Sequence, residues 1–257
     1  MISALVLAPV ALAVALLGGW GLAVFVAAAA VLMCLEWSRL TGVDRPLWAP
    51  AAMIAAELAA MLAAALAAFG LAVALIGAAA AVMTASGLAE RRSAWLSAGI
   101  LYVGLPCVAL LWLRSLEPWG LETVLWLLVL VWTVDIAAYF AGRAIGGPKL
   151  APRISPNKTW AGLGGGVATA ILVGIGAAAL TGAKTVPLVA LSAGLAIVEQ
   201  AGDLMESAIK RHFHLKDAGR LIPGHGGLLD RVDGLIATLL TVAALAIAFG
   251  GSPLAWR

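Results

Sequence analysis

Charge is what this sequence has least of. Asp, Glu, Lys and Arg make up 11% of 257 residues, against 63% hydrophobic residues. A mean hydropathy of +1.06 leaves too little polar surface to cover a water-soluble globule of this size. A soluble protein is excluded, and no nucleic-acid partner is expected. Cysteine is nearly absent: Cys34 and Cys107 lie far apart in apolar runs, so neither a disulfide framework nor a thiolate metal centre is available, and both are read as small buried hydrophobes. No Lys or Arg precedes Arg39. The first apolar run therefore lacks the basic start of a signal peptide, and because it continues past Gly18 and Gly19 it is read as a retained membrane hairpin. A P-loop, a dinucleotide fingerprint and a convincing internal repeat are all missing.

What is present is a series of apolar runs broken by charges or by Gly and Pro. Runs of about 20 residues cross a bilayer, and nine are expected, near 3–18, 20–38, 48–66, 70–87, 94–114, 121–142, 159–181, 185–202 and 229–249. The fold class is therefore all-α, a polytopic integral membrane protein, with an N-terminal set of about five spans (1–115) and a C-terminal catalytic region (116–257). With the N-terminus inside, every Lys and Arg except Arg114, Lys184 and Arg257 falls in inside loops, and the excess of basic residues on that side assigns an N-in, C-out topology. Small residues fill the spans. The run Gly164–Gly166 is read as close helix packing in lipid. Trp37, Trp48, Trp95, Trp119 and Trp160 fall near span ends, as interfacial aromatics do. Glu57, alone among alanines, reads as a buried acid paired to a neighbour or to backbone.

Against this background one stretch, Glu199 to Asp233, holds six of the 13 carboxylates and all three histidines. If Glu199 to Arg211 is helical, then Glu199, Asp203, Glu206 and Lys210 follow steps of four, three and four and share one face. Pro223, Gly224, His225, Gly226 and Gly227 follow, a run unable to hold a regular helix and able to bring backbone close to a ligand. Asp230 and Asp233, three apart, then open the last apolar run. Oxygen ligands without thiolates suit a hard cation such as Mg²⁺, which commonly binds through a few carboxylates together with substrate phosphates. The plainer reading is a solvated loop in which these acids pair with Lys210, Arg211, Lys216, Arg220 and Arg231. Ionisable groups at a membrane boundary favour the functional reading. His212 and His214 lack zinc spacing.

Two further places carry polar groups at span ends. Asp135, Tyr139 and Arg143 lie at steps of four along span six and direct one polar face towards its inside end. In Ser155-Pro156-Asn157-Lys158-Thr159, Ser155 is expected to cap a helix with Pro156 at its first position, so that unpaired N–H groups and Lys158 face an anion.

Taken together, Ser207-Ala-Ile-Lys210-Arg211, Lys216-Asp217, Pro223-Gly-His225-Gly-Gly227 and Asp230-Arg231-Val-Asp233 closely resemble the signature of the phosphatidate cytidylyltransferases, also called CDP-diacylglycerol synthases. Ser155 to Trp160 is similar to that family's other polar motif, and Asp135-Ile-Ala-Ala-Tyr139-Phe-Ala-Gly142-Arg143 matches the span before it. The resemblance runs from about Trp132 to Gly234. Glu199 stands where a small hydroxyl residue is usual, and Ala161 where an acid is common.

The resemblance implies condensation of CTP with phosphatidic acid to CDP-diacylglycerol and pyrophosphate, a step of phospholipid biosynthesis. It implies Mg²⁺, alone or with a second metal ion, held by Asp203 and Asp230 with Glu206, Asp135 and Asp233 supporting. Asp203, Asp230, Asp233, Lys210 and His225 would be catalytic. Ser155, Asn157, Lys158, Thr159, Arg211, Lys216, Asp217, Pro223, Gly224, Gly226, Gly227 and Arg231 would bind substrate phosphates. The expected setting is the cell inner membrane, with the site facing the cytoplasm and the chain a homodimer. Two alternatives stay open: a CTP-dependent kinase of a polyprenol or phytol, and an ion-coupled transporter. Interrupted repeats with midplane charges would mark the transporter, whereas the charges here gather at one face.

Overall fold

A computed structural model describes residues 2–44, 46–86, 90–219 and 226–256, with the backbone alone at 2–8 and at residue 90. Hydrocarbon offers no hydrogen-bond partners to a peptide group, so a chain this apolar must satisfy its backbone internally, which a helix does. Nine α-helices are described: α1 (Ile2–Leu17), α2 (Gly19–Thr41), α3 (Trp48–Ala65), α4 (Phe69–Thr84), α5 (Glu90–Ser115), α6 (Gly120–Ala144), α7 (Trp160–Thr181), α8 (Thr185–His212) and α9 (Leu229–Phe249). Seven are long and apolar enough to cross a membrane. The other two, α1 and α4, have 16 residues each, about 24 Å at ~1.5 Å per residue, short of the ~30 Å hydrocarbon core. The expected span at 70–87 is cut back because α4 ends at Thr84, whose hydroxyl bonds Ser97 Oγ at 2.8 Å while Ser97 bonds the Ala80 carbonyl.

The chain divides into two compact units. The first holds the residues up to Arg114 together with Phe213–Val232. Here α2, α3 and α4 pack in succession, and α5 joins them through glycines: Gly99 leaves the space that the Trp37 ring fills, and a Cβ at Gly104 would come within 2.5 Å of Glu57 Oε2. Trp37 is therefore not interfacial. It is fully buried, donates from Nε1 to the Trp95 carbonyl at 2.8 Å and packs against the Trp95 and Tyr102 rings. Trp48 and Trp160 are exposed, as expected of belt residues. Glu57 is wholly buried, and neither carboxyl oxygen has a hydrogen-bond partner among the described residues. The expected pairing is not formed, because the small side chains of α5 let the helices close over the carboxyl. Phe213 lies edge-on to Trp95, with the Arg91 guanidinium 6.0 Å from its ring centre.

The second unit holds Ser115–His212 and the chain from Asp233 onwards. Its helices α6, α7 and α8 pack side by side. Glycine sets the α6–α7 spacing, since a Cβ at Gly165 would fall 2.5 Å from Ala141 Cβ and one at Gly162 2.8 Å from the Ala138 carbonyl. Of the run expected to pack, Gly165 and Gly166 do so, the latter with a Cβ position 3.0 Å from Val134 Cγ1, whereas Gly164 faces open space. A short 3₁₀ turn, Pro253–Ala255, closes on the unit: Ser252 bonds Thr123 at 2.5 Å and the Trp256 carbonyl accepts from Lys184 N.

Between α6 and α7 lies a small departure from the all-helical pattern. Lys149–Ala151 (β1) pairs antiparallel with Ser155–Thr159 (β2), in register Lys149 with Thr159 and Ala151 with Ser155. The expected helix cap at Ser155 is therefore not formed. Pro156 occupies an exposed position of a two-stranded ribbon, where a missing N–H costs nothing. Thr159 stays extended at φ −126°, ψ 157°, and its Oγ1 accepts from Gly162 N at 3.0 Å, so Thr159 is the N-cap of α7.

The glycines of α7 provide a direct test of the packing. Gly165→Ala should lower thermal stability in detergent by about 1–3 kcal/mol through overpacking. Gly164→Ala, with no atom within 4 Å of the new Cβ, should be neutral or stabilising by up to about 1 kcal/mol from helix propensity.

Candidate active site

Helix α8 explains why charge collects where it does. Its 28 residues make about 42 Å at ~1.5 Å per residue, roughly 12 Å more than the hydrocarbon core, and the surplus is the polar C-terminal part. The residues from Glu199 to Arg211 are helical throughout, so the predicted face exists. Glu199, Glu206 and Lys210 are buried along it, and Lys210 Nζ bonds Glu206 Oε1 at 3.1 Å.

The second unit brings other residues to this face. Lys158, one position before the α7 cap, reaches Asp203 Oδ2 at 2.6 Å and Gln200 Oε1 at 2.9 Å. Gln200 in turn donates from Nε2 to Glu199 Oε2 at 2.8 Å. Ser207 bonds Asp203 Oδ1 at 3.3 Å, and Arg211 Nε reaches the Ile154 carbonyl at 3.3 Å, tying the end of α8 to the β-hairpin. Asp135 of α6 interacts with Glu199, and Asp233 of α9 lies within electrostatic reach of Asp203, Glu206 and Asp135. Close approach of α8 and α9 makes this possible: a Cβ at Gly202 would meet Ala237 Cβ at 2.7 Å and the Asp233 carbonyl at 3.0 Å, and one at Gly234 would meet Glu199 Oε1 at 2.6 Å.

The predicted site residues are distributed as follows. Asp135, Ser155, Asn157, Lys158, Thr159, Asp203, Glu206, Lys210, Arg211 and Asp233 belong to the second unit; Lys216, Asp217, Gly226, Gly227, Asp230 and Arg231 belong to the first. Pro223, Gly224 and His225 lie outside the described residues. In the first unit Asp230 organises backbone, its Oδ2 accepting from Ala218 N at 2.9 Å and Gly227 N at 2.8 Å. Two residues escaped the sequence reading. Gln200 had only its position three before Asp203 to mark it. Glu36 of α2 had a clearer signal, an acid inside an apolar run: it accepts from Leu228 N and Leu229 N, both at 2.8 Å.

Five carboxyls (Asp135, Glu199, Asp203, Glu206, Asp233) and two ammonium groups (Lys158, Lys210) thus share one region of the second unit. The donor set suits a hard divalent cation, being oxygen-only and in excess over the lysines. Among the described residues no three His, Cys, Asp or Glu side chains surround a common point as metal ligands, and the Lys158 ammonium takes up one oxygen of Asp203. The arrangement holds positive charge at its acidic face, beside the capped N-terminus of α7. Both ammonium groups are paired with carboxylates of α8, Lys158 with Asp203 and Lys210 with Glu206, so the face remains acidic overall.

The cap separates two roles. Thr159→Ala should cost about 1 kcal/mol of stability in thermal unfolding, the usual worth of an N-cap, whereas Ser155→Ala should cost much less because Ser155 caps nothing.

The model of the cytidylyltransferase family matches residues 1–249. A phosphatidate cytidylyltransferase of Brucella suis biovar 1 is 43% identical over 257 residues, covering 97% of this chain and 92% of that protein. One from Pseudomonas aeruginosa is 37% identical over 267 residues, covering 98% of each, and one from Bacillus subtilis is 38% identical over 139 residues, covering 53% of this chain and 51% of the relative. A match along nearly the whole chain, with the polar motifs gathered on α8 and the ribbon before α7, shows that the chain belongs to the cytidylyltransferase family.

Proposed function

We propose that the chain is a phosphatidate cytidylyltransferase that condenses CTP with phosphatidic acid to give CDP-diacylglycerol and pyrophosphate. The observation that carries the reading is Lys158 held between Asp203 and Gln200 on the acidic face of α8. In the reaction a phosphate oxygen of the lipid attacks the α-phosphorus of CTP, the bond to the bridging oxygen of the β-phosphate breaks, and pyrophosphate leaves in line. Such a transfer needs positioning and charge neutralisation more than a covalent nucleophile. Lys158, Lys210 and Arg211 of the second unit neutralise phosphate oxygens. The ribbon residues Ser155, Asn157 and Thr159 present the start of α7 to an anion. The Gly227 N–H is taken by Asp230 Oδ2 at 2.8 Å and so orders the loop instead of meeting phosphate.

Asp203, Glu206 and Asp135, with Asp233 in support, would hold Mg²⁺, alone or with a second ion, and Asp230 is a further carboxylate assigned to metal. When bound, the ion would offset the charge that grows on the phosphate oxygens. Basic residues gather in one set of loops, which supports an N-terminus inside and a site facing the cytoplasm at the cell inner membrane. Of the seven membrane-length helices α7 is the least buried, and its small residues support a homodimer contact.

The test uses the full chain purified in detergent with phosphatidic acid, labelled CTP and Mg²⁺. Lipid-soluble cytidine label and pyrophosphate should form in equal amounts and stop when EDTA removes the metal. Asp203→Asn and Lys158→Ala should each lower kcat about a hundredfold or more, the scale of losing one preorganised electrostatic group. Cytidine label that stays in the aqueous phase while a lipid alcohol becomes phosphorylated would replace this reading with a lipid kinase.

A further inference from the structure

Among the described residues the start of α9 supplies a side-chain acceptor of its own to Gly227 N, from Asp230, but none to Leu228 N or Leu229 N. Leu228 and Leu229 stand where Ser, Thr, Asp or Asn would serve. The cap is imported instead from α2, almost two hundred residues earlier. Glu36, 1% exposed, accepts from Leu228 N with Oε1 and from Leu229 N with Oε2, each at 2.8 Å. Among the described residues it forms no ion pair with Lys, Arg or His. A carboxylate so placed is favoured by the positive end of the helix dipole as well as by the two N–H groups.

Three consecutive amides are divided between two carboxylates. Gly227 N goes to Asp230 Oδ2, while Leu228 N and Leu229 N go to Glu36. Asp230 Oδ2 also accepts from Ala218 N, so chain on either side of the loop is gathered onto the first turn of α9. Two glycines bear the mark of Glu36. A Cβ on Gly219 would fall 2.7 Å from Oε1, and one on Gly227 2.6 Å from both Oε1 and Oε2. Neither glycine has positive φ, so conformation does not require glycine there. The Glu36 carboxylate does, because it cannot swing aside without giving up two buried hydrogen bonds.

We infer that Glu36 is a positioning residue for the reaction: it fixes the first turn of α9 and thereby the direction in which Asp230 presents its carboxylate. This rests on the reading of Asp230 as a site residue. Among the described residues the hydrogen bonds of Glu36 come from backbone N–H groups, and it acts through Asp230, so its loss should appear in turnover more than in substrate binding. Glu36→Gln keeps the shape and one acceptor oxygen, but its amide nitrogen cannot accept from the second N–H.

The experiment measures kcat and KM for CTP per folded molecule of the full chain in detergent, with folded fraction and melting temperature recorded for each variant. Glu36→Ala should lower kcat at least tenfold with KM changed less than threefold, and Glu36→Gln should fall between it and wild type. Gly219→Ala, which displaces the carboxylate without altering it, should lower kcat in the same way. Combined with Glu36→Ala it should add no further loss, because the clash is gone. Asp230→Asn is run alongside. If it is inactive while Glu36→Gln and Gly219→Ala keep wild-type kcat, or if the two glycine and glutamate effects simply multiply, the inference is overturned and the reading of Asp230 survives. If Asp230→Asn keeps wild-type kcat, the reading beneath the inference fails instead.

Discussion

An acid beside hydrocarbon needs a positive charge or hydrogen-bond donors, and the contact between Lys158 and Asp203 at 2.6 Å meets that need where carboxylates are densest. Around it the second unit is arranged in a chain of contacts. Gln200 holds the other side of the ammonium and is itself held by Glu199, and Glu199 sits under Gly234, where only a glycine leaves room. Lys158 is in turn delivered by a β-ribbon that ends at the Thr159 cap. Break the ammonium–carboxylate contact and the acids of α8 lose their nearest neutralising charge on that side, so the face would have to take up protons or draw in water.

The same physics is solved differently in the first unit. There two acids, Glu36 and Asp230, are satisfied by backbone amides, collecting four N–H groups between them. Amide donors fix geometry without adding charge, which leaves the carboxylates net negative. Glu57 contrasts with them, lying against Gly104 with no donor among the described residues.

Glycine recurs wherever two chains must come close, and for different reasons. Gly162 and Gly165 admit α6 to α7, Gly202 and Gly234 bring α8 to α9, and Gly219 and Gly227 clear space for Glu36. In lipid, where apolar side chains gain little by meeting one another instead of solvent, contact area from close backbone approach is what holds helices together. Those same approaches set the distances between charged side chains, so packing and chemistry share residues. Gly182, at φ +72°, does a different job and ends α7.

From the sequence alone came the membrane class, the positions of the helices, the acidic face of α8 and the family, because hydropathy and helical periodicity are local properties and the polar motifs are contiguous. Glu199, Asp203, Glu206 and Lys210 could be placed on one face by counting. The ribbon at Ser155 to Thr159 could not be foreseen, since a Ser-Pro pair suits a helix start as well as an exposed strand, and only pairing with Lys149–Ala151 decides between them. The burial of Trp37 depended on Gly99, some sixty residues away. That Phe213–Val232 folds with the first five helices, and that Glu36 caps α9, follow from contacts between segments far apart in the chain. No local pattern encodes those contacts, because a backbone N–H has no side-chain identity and the partner it finds is set by which helices the tertiary packing brings beside it.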